Sequence, residues 1–170
     1  MALEAFKEAY ILNNDDDVVT ERYVDSLLNL IADNLNKKRL KTAGHYLEEA
    51  LLLKKNGKQK RDFDRLAGQL YAALGNNFMK SGEFEDAKNA FDKSLEFNPE
   101  EVTGHMGLAR YYHRLAMGMK DRKIALKHET RAVVRIMEAD RLCKGRCINA
   151  RIIKRYRKYY ENKRAALKNV

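Results

Sequence analysis

Apolar positions in residues 62–101 recur at three- and four-residue spacing, then break, then resume. Leu70, Leu74 and Phe78, with Tyr71 beside them, mark one face of a helix. The polar stretch "KSGE" interrupts the pattern, and Gly82 within it can take a positive φ in a short turn. The period returns at Phe84, Ala87, Phe91 and Leu95 and ends at Asn98-Pro99, because the residue before proline is pushed out of the helical region. Two helices joined by so short a turn must lie antiparallel and in contact. Gly75 in mid-helix costs about 1 kcal/mol relative to Ala. Opposite Ala87 and Ala90, it reads as a site of close backbone approach, with Phe84 and Phe91 filling the space around it.

These residues resemble a known pattern. Tyr71-x2-Leu74-Gly75-x2-Phe78, then Ala87-x3-Phe91, then Pro99, is similar to the tetratricopeptide repeat W-x2-L-G-x2-Y…A-x3-F…P over residues 68–101. Tyr71 replaces the Trp, Phe78 the Tyr, and Ser94 stands where Ala is usual. One such unit cannot bury both its faces alone, so neighbours are expected. Upstream, Leu28, Ile31, Ala32 and Leu35 suit a first helix and Leu40, Ala43, Leu47 and Ala50 a second, joined by "NKKR". Downstream, His105, Leu108, Ala109 and Tyr112 suit a first helix, with Ala109 replacing the glycine. Ala125, Glu129 and Ala132 suit its partner, with Glu129 in place of an aromatic. An insertion around "AMGMKD" adds either helical turns or a longer loop.

The segment "ALEAFKEAYILNNDD" reads as the second helix of a further repeat whose first helix is missing. This is expected if the chain is a piece of a longer repeat protein; the alternative is a solitary capping helix. The pattern predicts helices over 2–12, 20–36, 39–53, 62–80, 84–97, 101–118, 122–142 and 146–168, with "KKNGKQKRD" at 54–62 as a polar connector. The expected fold is all-α. The resemblance implies a right-handed α-α superhelix of antiparallel hairpins, with a half-repeat at 2–16, repeats at 24–53, 68–101 and 102–139, and a basic capping helix over 146–170.

Charge changes the picture only at one end. The chain of 170 residues carries +10, but residues 1–140 hold 23 Lys+Arg and 23 Asp+Glu, so the whole excess lies in residues 141–170, where Glu161 is the one acid. In "RCINARIIKRYRKYYENKRAALKNV", Ile148, Ile152, Tyr156, Tyr159 and Tyr160, with Ile153 beside them, form an apolar stripe able to seal the last hairpin. Arg151, Lys154, Arg155, Arg157, Lys158, Lys163 and Arg164 cover the rest as a basic patch. Cations interleaved with tyrosines also suit a nucleic acid or an acidic partner.

Little in the sequence points to catalysis. "CKGRC" places Cys143 and Cys147 four apart without the further ligands zinc needs, so thiols are expected there. The histidines form no metal motif, "DDD" lacks calcium-loop spacing, and no phosphate-cradling Gly-rich loop or nucleophile–base pair is visible. No enzyme activity, metal or cofactor is expected. No apolar run reaches membrane-spanning length and no signal peptide is visible at the start, so a cytoplasmic protein is expected.

The resemblance implies protein–protein binding in a groove lined by the first helix of each pair. The candidate groove residues are Asn29, Asp33, Asn76, Met79, Lys80, Arg110, His113 and Arg114, with Ala72 and Gly107 also assigned to that face. Asn76 offers donors and an acceptor to a peptide backbone. Lys80, Arg110 and Arg114 suit an acidic segment or a terminal carboxylate. The family's carboxylate clamp is not expected, because Ala72 and Gly107 stand where it needs polar groups.

Overall fold

The computed structural model describes residues 2–168. Among these the helices are α1 (Ala2–Leu12), α2 (Asp17–Asn36), α3 (Leu40–Leu51), α4 (Gly57–Ser81), α5 (Phe84–Phe97), α6 (Val102–Gly118), α7 (Arg122–Cys143) and α8 (Ala150–Lys168). No strand occurs among the described residues. The fold is all-α, built of antiparallel helix hairpins. Its helices divide into two compact units, one ending at Leu70 and the other beginning at Tyr71.

The starts of α2 and α4 follow side-chain caps. Asp16 accepts from the amides of Val18 and Val19 at 2.8 and 3.2 Å, so α2 begins three residues before the apolar pattern suggests. α4 departs further from expectation, since residues 57–61 are helix and not connector. The cause is a reciprocal cap. Asn56 Oδ1 accepts from the Gln59 amide at 2.9 Å, and Gln59 Oε1 accepts from the Asn56 amide at 3.2 Å. The Gln59 side chain also donates to Glu21 O and to Asp25 Oδ1, at 2.9 and 2.8 Å, tying the start of α4 to α2.

In the first unit, Tyr23, Val24, Leu27 and Ile31 of α2 are buried with Ala43, Leu47 and Ala50 of α3. Tyr23 donates its hydroxyl to Glu49, which also pairs with Lys7 of α1 at 2.9 Å. The hydrogen bonds from Tyr23 and Lys7 hold the Glu49 carboxyl below its ordinary value despite its burial, which acts the other way.

The second unit is organised around Phe91, whose side chain is fully buried on α5. Its ring lies so close to α4 and α6 that a Cβ on Gly75 would sit 2.6 Å from it, and a Cβ on Gly107 2.2 Å. Gly104, one turn earlier on α6, presses less tightly on Ser94 and Leu95, each 2.9 Å from where its Cβ would be. This corrects the assignment of Gly107 to an open groove: it is buried, and its missing side chain is what admits the Phe91 ring. Ala72 is likewise buried, at 1% exposure. Ala109 packs into the next cluster with Ala132, Val133 and Ile136.

The insertion in the downstream repeat is resolved as helix. Ser81, the last residue of α4, corresponds to Leu115, yet α6 continues to Gly118. Asp121 then caps α7 through the amides of Lys123 and Ile124, at 2.7 and 3.1 Å. α7 ends at Cys143 and is capped by Lys144 in the left-handed region (φ 49°), and Gly145 follows with φ 70°. Cys143 and Cys147 are joined as a disulfide around this turn, which replaces the expected thiols. α8 therefore starts at Ala150, later than its pattern suggested. Of its apolar stripe, Tyr160 is buried and Tyr156 packs on the same cluster, with Ile153 beside them fully buried, while Ile148 is 98% exposed.

The glycine contacts set a stability test. Gly107→Ala forces a methyl against the Phe91 ring and is expected to lower the unfolding free energy by about 1–3 kcal/mol in urea. Gly118→Ala, at a position with open space, is expected to leave stability unchanged or raise it. Equal losses from the two substitutions would rule out the wedge.

Candidate functional site

Within the second unit, α4, α6 and α8 bring Asn76, Arg110, His113, Tyr159 and Tyr160 together. Asn76 is half-buried near the end of α4, and its Oδ1 accepts from Arg110 Nη1 on α6 at 3.1 Å. One turn further along α6, His113 Nδ1 lies 2.9 and 3.1 Å from the two carboxylate oxygens of Glu129 on α7. Glu129 is 1% exposed, so His113 is what compensates a buried acid. α8 closes this group from the other side: the His113 ring lies 4.8 Å from that of Tyr160 and meets Tyr159 edge-on at 5.2 Å. Burial pushes the Tyr160 hydroxyl well above the ordinary tyrosine range.

The other candidate groove residues are placed as follows. Lys80 is exposed in the last turn of α4, where the helix dipole favours a cation. Met79 packs against the Ala87, Phe91 and Leu108 cluster. Arg114 lies with its guanidinium 5.0 Å from the centre of the Phe84 ring, a cation–π contact at the hairpin turn. Asn29 and Asp33 belong to the first unit. Asn29 lines a cleft between α2 and the start of α4 together with Asp25, Lys58, Asp62 and Arg65. Asp33 is exposed and pairs with Lys37 at 2.8 Å.

On α8 the cations fall into two groups. Arg157 is committed to Asp140 of α7 at 2.8 Å and to Glu161 at 3.1 Å, and so helps dock the helix. Arg151, Lys154, Arg155 and Lys158 are exposed, Arg164 is half-exposed, and Lys163 lies 5.6 Å over the Tyr159 ring. None of these six has a carboxylate at ion-pair distance among the described residues. Ile152, Arg155, Tyr156 and Tyr159 line an open cleft of about 480 Å³ beside them.

Sequence reasoning missed Glu129 as part of this site and read it only as a substitute for an aromatic. The available signal was an acid at an inward position of a helix, since a carboxylate there demands a partner. Which partner could not be read from spacing, because His113 is 16 residues away on another helix.

Residues 68–101 match the family model described as tetratricopeptide repeat. This segment resembles one tetratricopeptide repeat. In it α5 is the second helix and Phe91 the aromatic that meets Gly75, while Asn76 and Lys80 lie on the first helix. A solved structure titled "Human IFIT1 dimer with m7Gppp-AAAA" is similar over 98% of this chain and 43% of that one, at 14% identity and a TM-score of 0.48. The chain thus spans less than half of that protein's length. No curated protein matches the chain. Among the described residues no helix is long and apolar enough to cross a membrane.

The His113–Glu129 contact predicts an asymmetric mutational response. His113→Ala leaves the buried Glu129 carboxyl without its hydrogen-bond partner and is expected to cost about 1–3 kcal/mol, measured by chemical denaturation. The double change with Glu129→Leu removes the buried polar group as well and is expected to recover a good part of that loss. A single-variant cost within experimental error of zero would show that Glu129 is satisfied by something else.

Proposed function

We propose that the chain is a non-catalytic interaction module that holds an extended, acidic protein segment against the face formed by α4 and α6 of its second unit. The observation that carries this reading is the Asn76–Arg110 hydrogen bond. It fixes both side chains at a half-exposed position while leaving the two Asn76 amide N–H groups without a hydrogen-bond partner among the described residues. Those donors suit a peptide carbonyl in any register. Arg110 makes no ion pair with a carboxylate among the described residues, and Lys80 stands exposed one turn from Asn76. The face thus carries positive charge that the unit does not neutralise, which suits an acidic ligand. The tetratricopeptide repeat supports the same class of function. Some members of that family bind a protein segment along the first helices of their repeats.

Titrating the protein into a labelled Asp/Glu-rich peptide tests this by fluorescence polarisation. Asn76→Ala and Arg110→Ala are each expected to weaken binding by about tenfold, the size of one charge-assisted or buried hydrogen bond, without lowering the melting temperature. Affinity unchanged in both variants would overturn the assignment of this face.

A second reading rests on a separate observation, the six α8 cations without carboxylate partners beside the exposed Tyr159 ring. It assigns the basic helix to single-stranded nucleic acid, with phosphates on Arg151, Lys154, Arg155 and Lys158 and a base stacked on Tyr159. A labelled single-stranded oligonucleotide is expected to bind with steep salt dependence. Lys158→Gln is expected to lower the log–log salt slope by about 0.7, and Tyr159→Ala to weaken binding where Tyr159→Phe does not. An unchanged slope, or equal affinities for the two Tyr159 variants, would reject it.

A further inference from the structure

The inward side of α7 is consumed by packing, with Ala132, Val133, Ile136 and Ala139 fully buried. Its outward side is not simply polar. Val134 is 58% exposed and Met137 43%, three residues apart and therefore neighbours on one face. They line a cleft of about 690 Å³ between α7 and the first half of α8, whose walls include Lys144, Gly145 and Lys154. The two helices run antiparallel here: Arg122 at the start of α7 donates to Leu167 O near the end of α8 at 2.6 Å, and Asp140 near the end of α7 meets Arg157. The Cys143–Cys147 disulfide closes the turn that carries Lys144 and Gly145, so one wall of the cleft is held in place covalently.

The charges around the cleft do not balance. Its two carboxylates are already engaged, Glu138 by Arg141 at 2.9 Å and Asp140 by Arg157 at 2.8 Å. Lys144 and Lys154 in the cleft, and Arg135 beside Val134, have no carboxylate at ion-pair distance among the described residues.

We propose that this outer cleft of α7 and α8 docks an amphipathic helix of a partner protein, with apolar side chains on Val134 and Met137 and acidic residues toward Arg135, Lys144 and Lys154. A groove between two antiparallel helices receives the ridge of a third, and apolar residues at three- and four-residue spacing match a floor spaced in the same way. The acidic character follows from desolvation. A neutral occupant would bury the Lys144 and Lys154 ammonium groups unpaired, whereas carboxylates on its rim would pair them. This surface lies on other residues than Asn76 and Arg110, so it stands or falls independently of the inner-face reading.

The test uses the full chain and a synthetic helical peptide with Leu at three- and four-residue spacing and Glu on the flanks, compared with a scrambled peptide of the same composition. The ordered peptide is expected to bind more tightly than the scrambled one and more weakly as salt rises. Val134→Glu and Lys144→Glu are each expected to weaken it by about tenfold, the change expected on losing one valine-sized anchor or one charge pair. Both positions are exposed, and circular dichroism checks that the variants remain folded. Asn76→Ala is expected to leave this binding unchanged. Four results would overturn the proposal: equal binding of the scrambled peptide, no effect of Val134→Glu, loss of binding in Asn76→Ala, or a concentration-dependent dimer that Val134→Glu dissolves. The last would make a second copy of the chain the occupant.

Discussion

The second unit depends on one steric bargain, an aromatic ring held between two helices at positions where neither has a side chain. Phe91 on α5 fills the space that Gly75 on α4 and Gly107 on α6 leave open. Each glycine weakens its own helix by about 1 kcal/mol. The return is the burial of a whole phenylalanine and the close approach of three helices. Because α4 and α6 both touch the same ring, their spacing fixes the distance between Asn76 and Arg110, which meet at 3.1 Å. The candidate site is thus built on the rigid scaffold and not on a loop, and its geometry follows from a contact in the core.

The next hairpin solves the same problem with different chemistry. Glu129 stands where the aromatic would be, and an unpaired carboxylate there would be costly. His113 supplies the counterpart, and Tyr159 and Tyr160 of α8 pack their rings on it. α8 is therefore more than a solvated cap. Ile153 and Tyr160 join the hydrophobic cluster of α6 and α7, Arg157 pins the helix to Asp140, and the remaining cations are left facing outward. Packing and charge presentation are divided between opposite sides of one helix, which is why the same element can both seal a core and carry a basic surface.

Much of the local structure was legible in the chain. The order and type of the helices, the turn at Gly82, the stop at Pro99 and the tetratricopeptide pattern over 68–101 all follow from period, turn chemistry and proline geometry. The misplaced boundaries have local causes too. The start of α4 is legible in Asn56-x-x-Gln59, a capping box inside a stretch dominated by lysines, whose overall polarity resembles that of a connector. Only part of the apolar stripe of α8 is buried: Tyr156 and Tyr160 join the cluster on α7, whereas Ile148, Ile152 and Tyr159 stay exposed. Isoleucines at 152 and 153 and tyrosines at 159 and 160 fit two adjacent faces equally well, and only contact with α7 chooses between them.

By itself, then, the sequence determined that this is an all-α chain of helix hairpins, that one hairpin turns at Gly82, and that positive charge gathers in residues 141–170. These properties depend on neighbours within a few residues along the chain. Which residues meet was decided by the tertiary structure. Gly107 was assigned to a groove and lies against Phe91; Glu129 looked like a lapse in a repeat and holds His113; Cys143 and Cys147 were expected as thiols and form a disulfide. In the first two cases the partner comes from another helix. In the third, two left-handed residues fold the turn back on itself. Periodicity says which face of a helix is buried, but not what will be pressed against it, because that depends on the angle and distance at which the next helix packs.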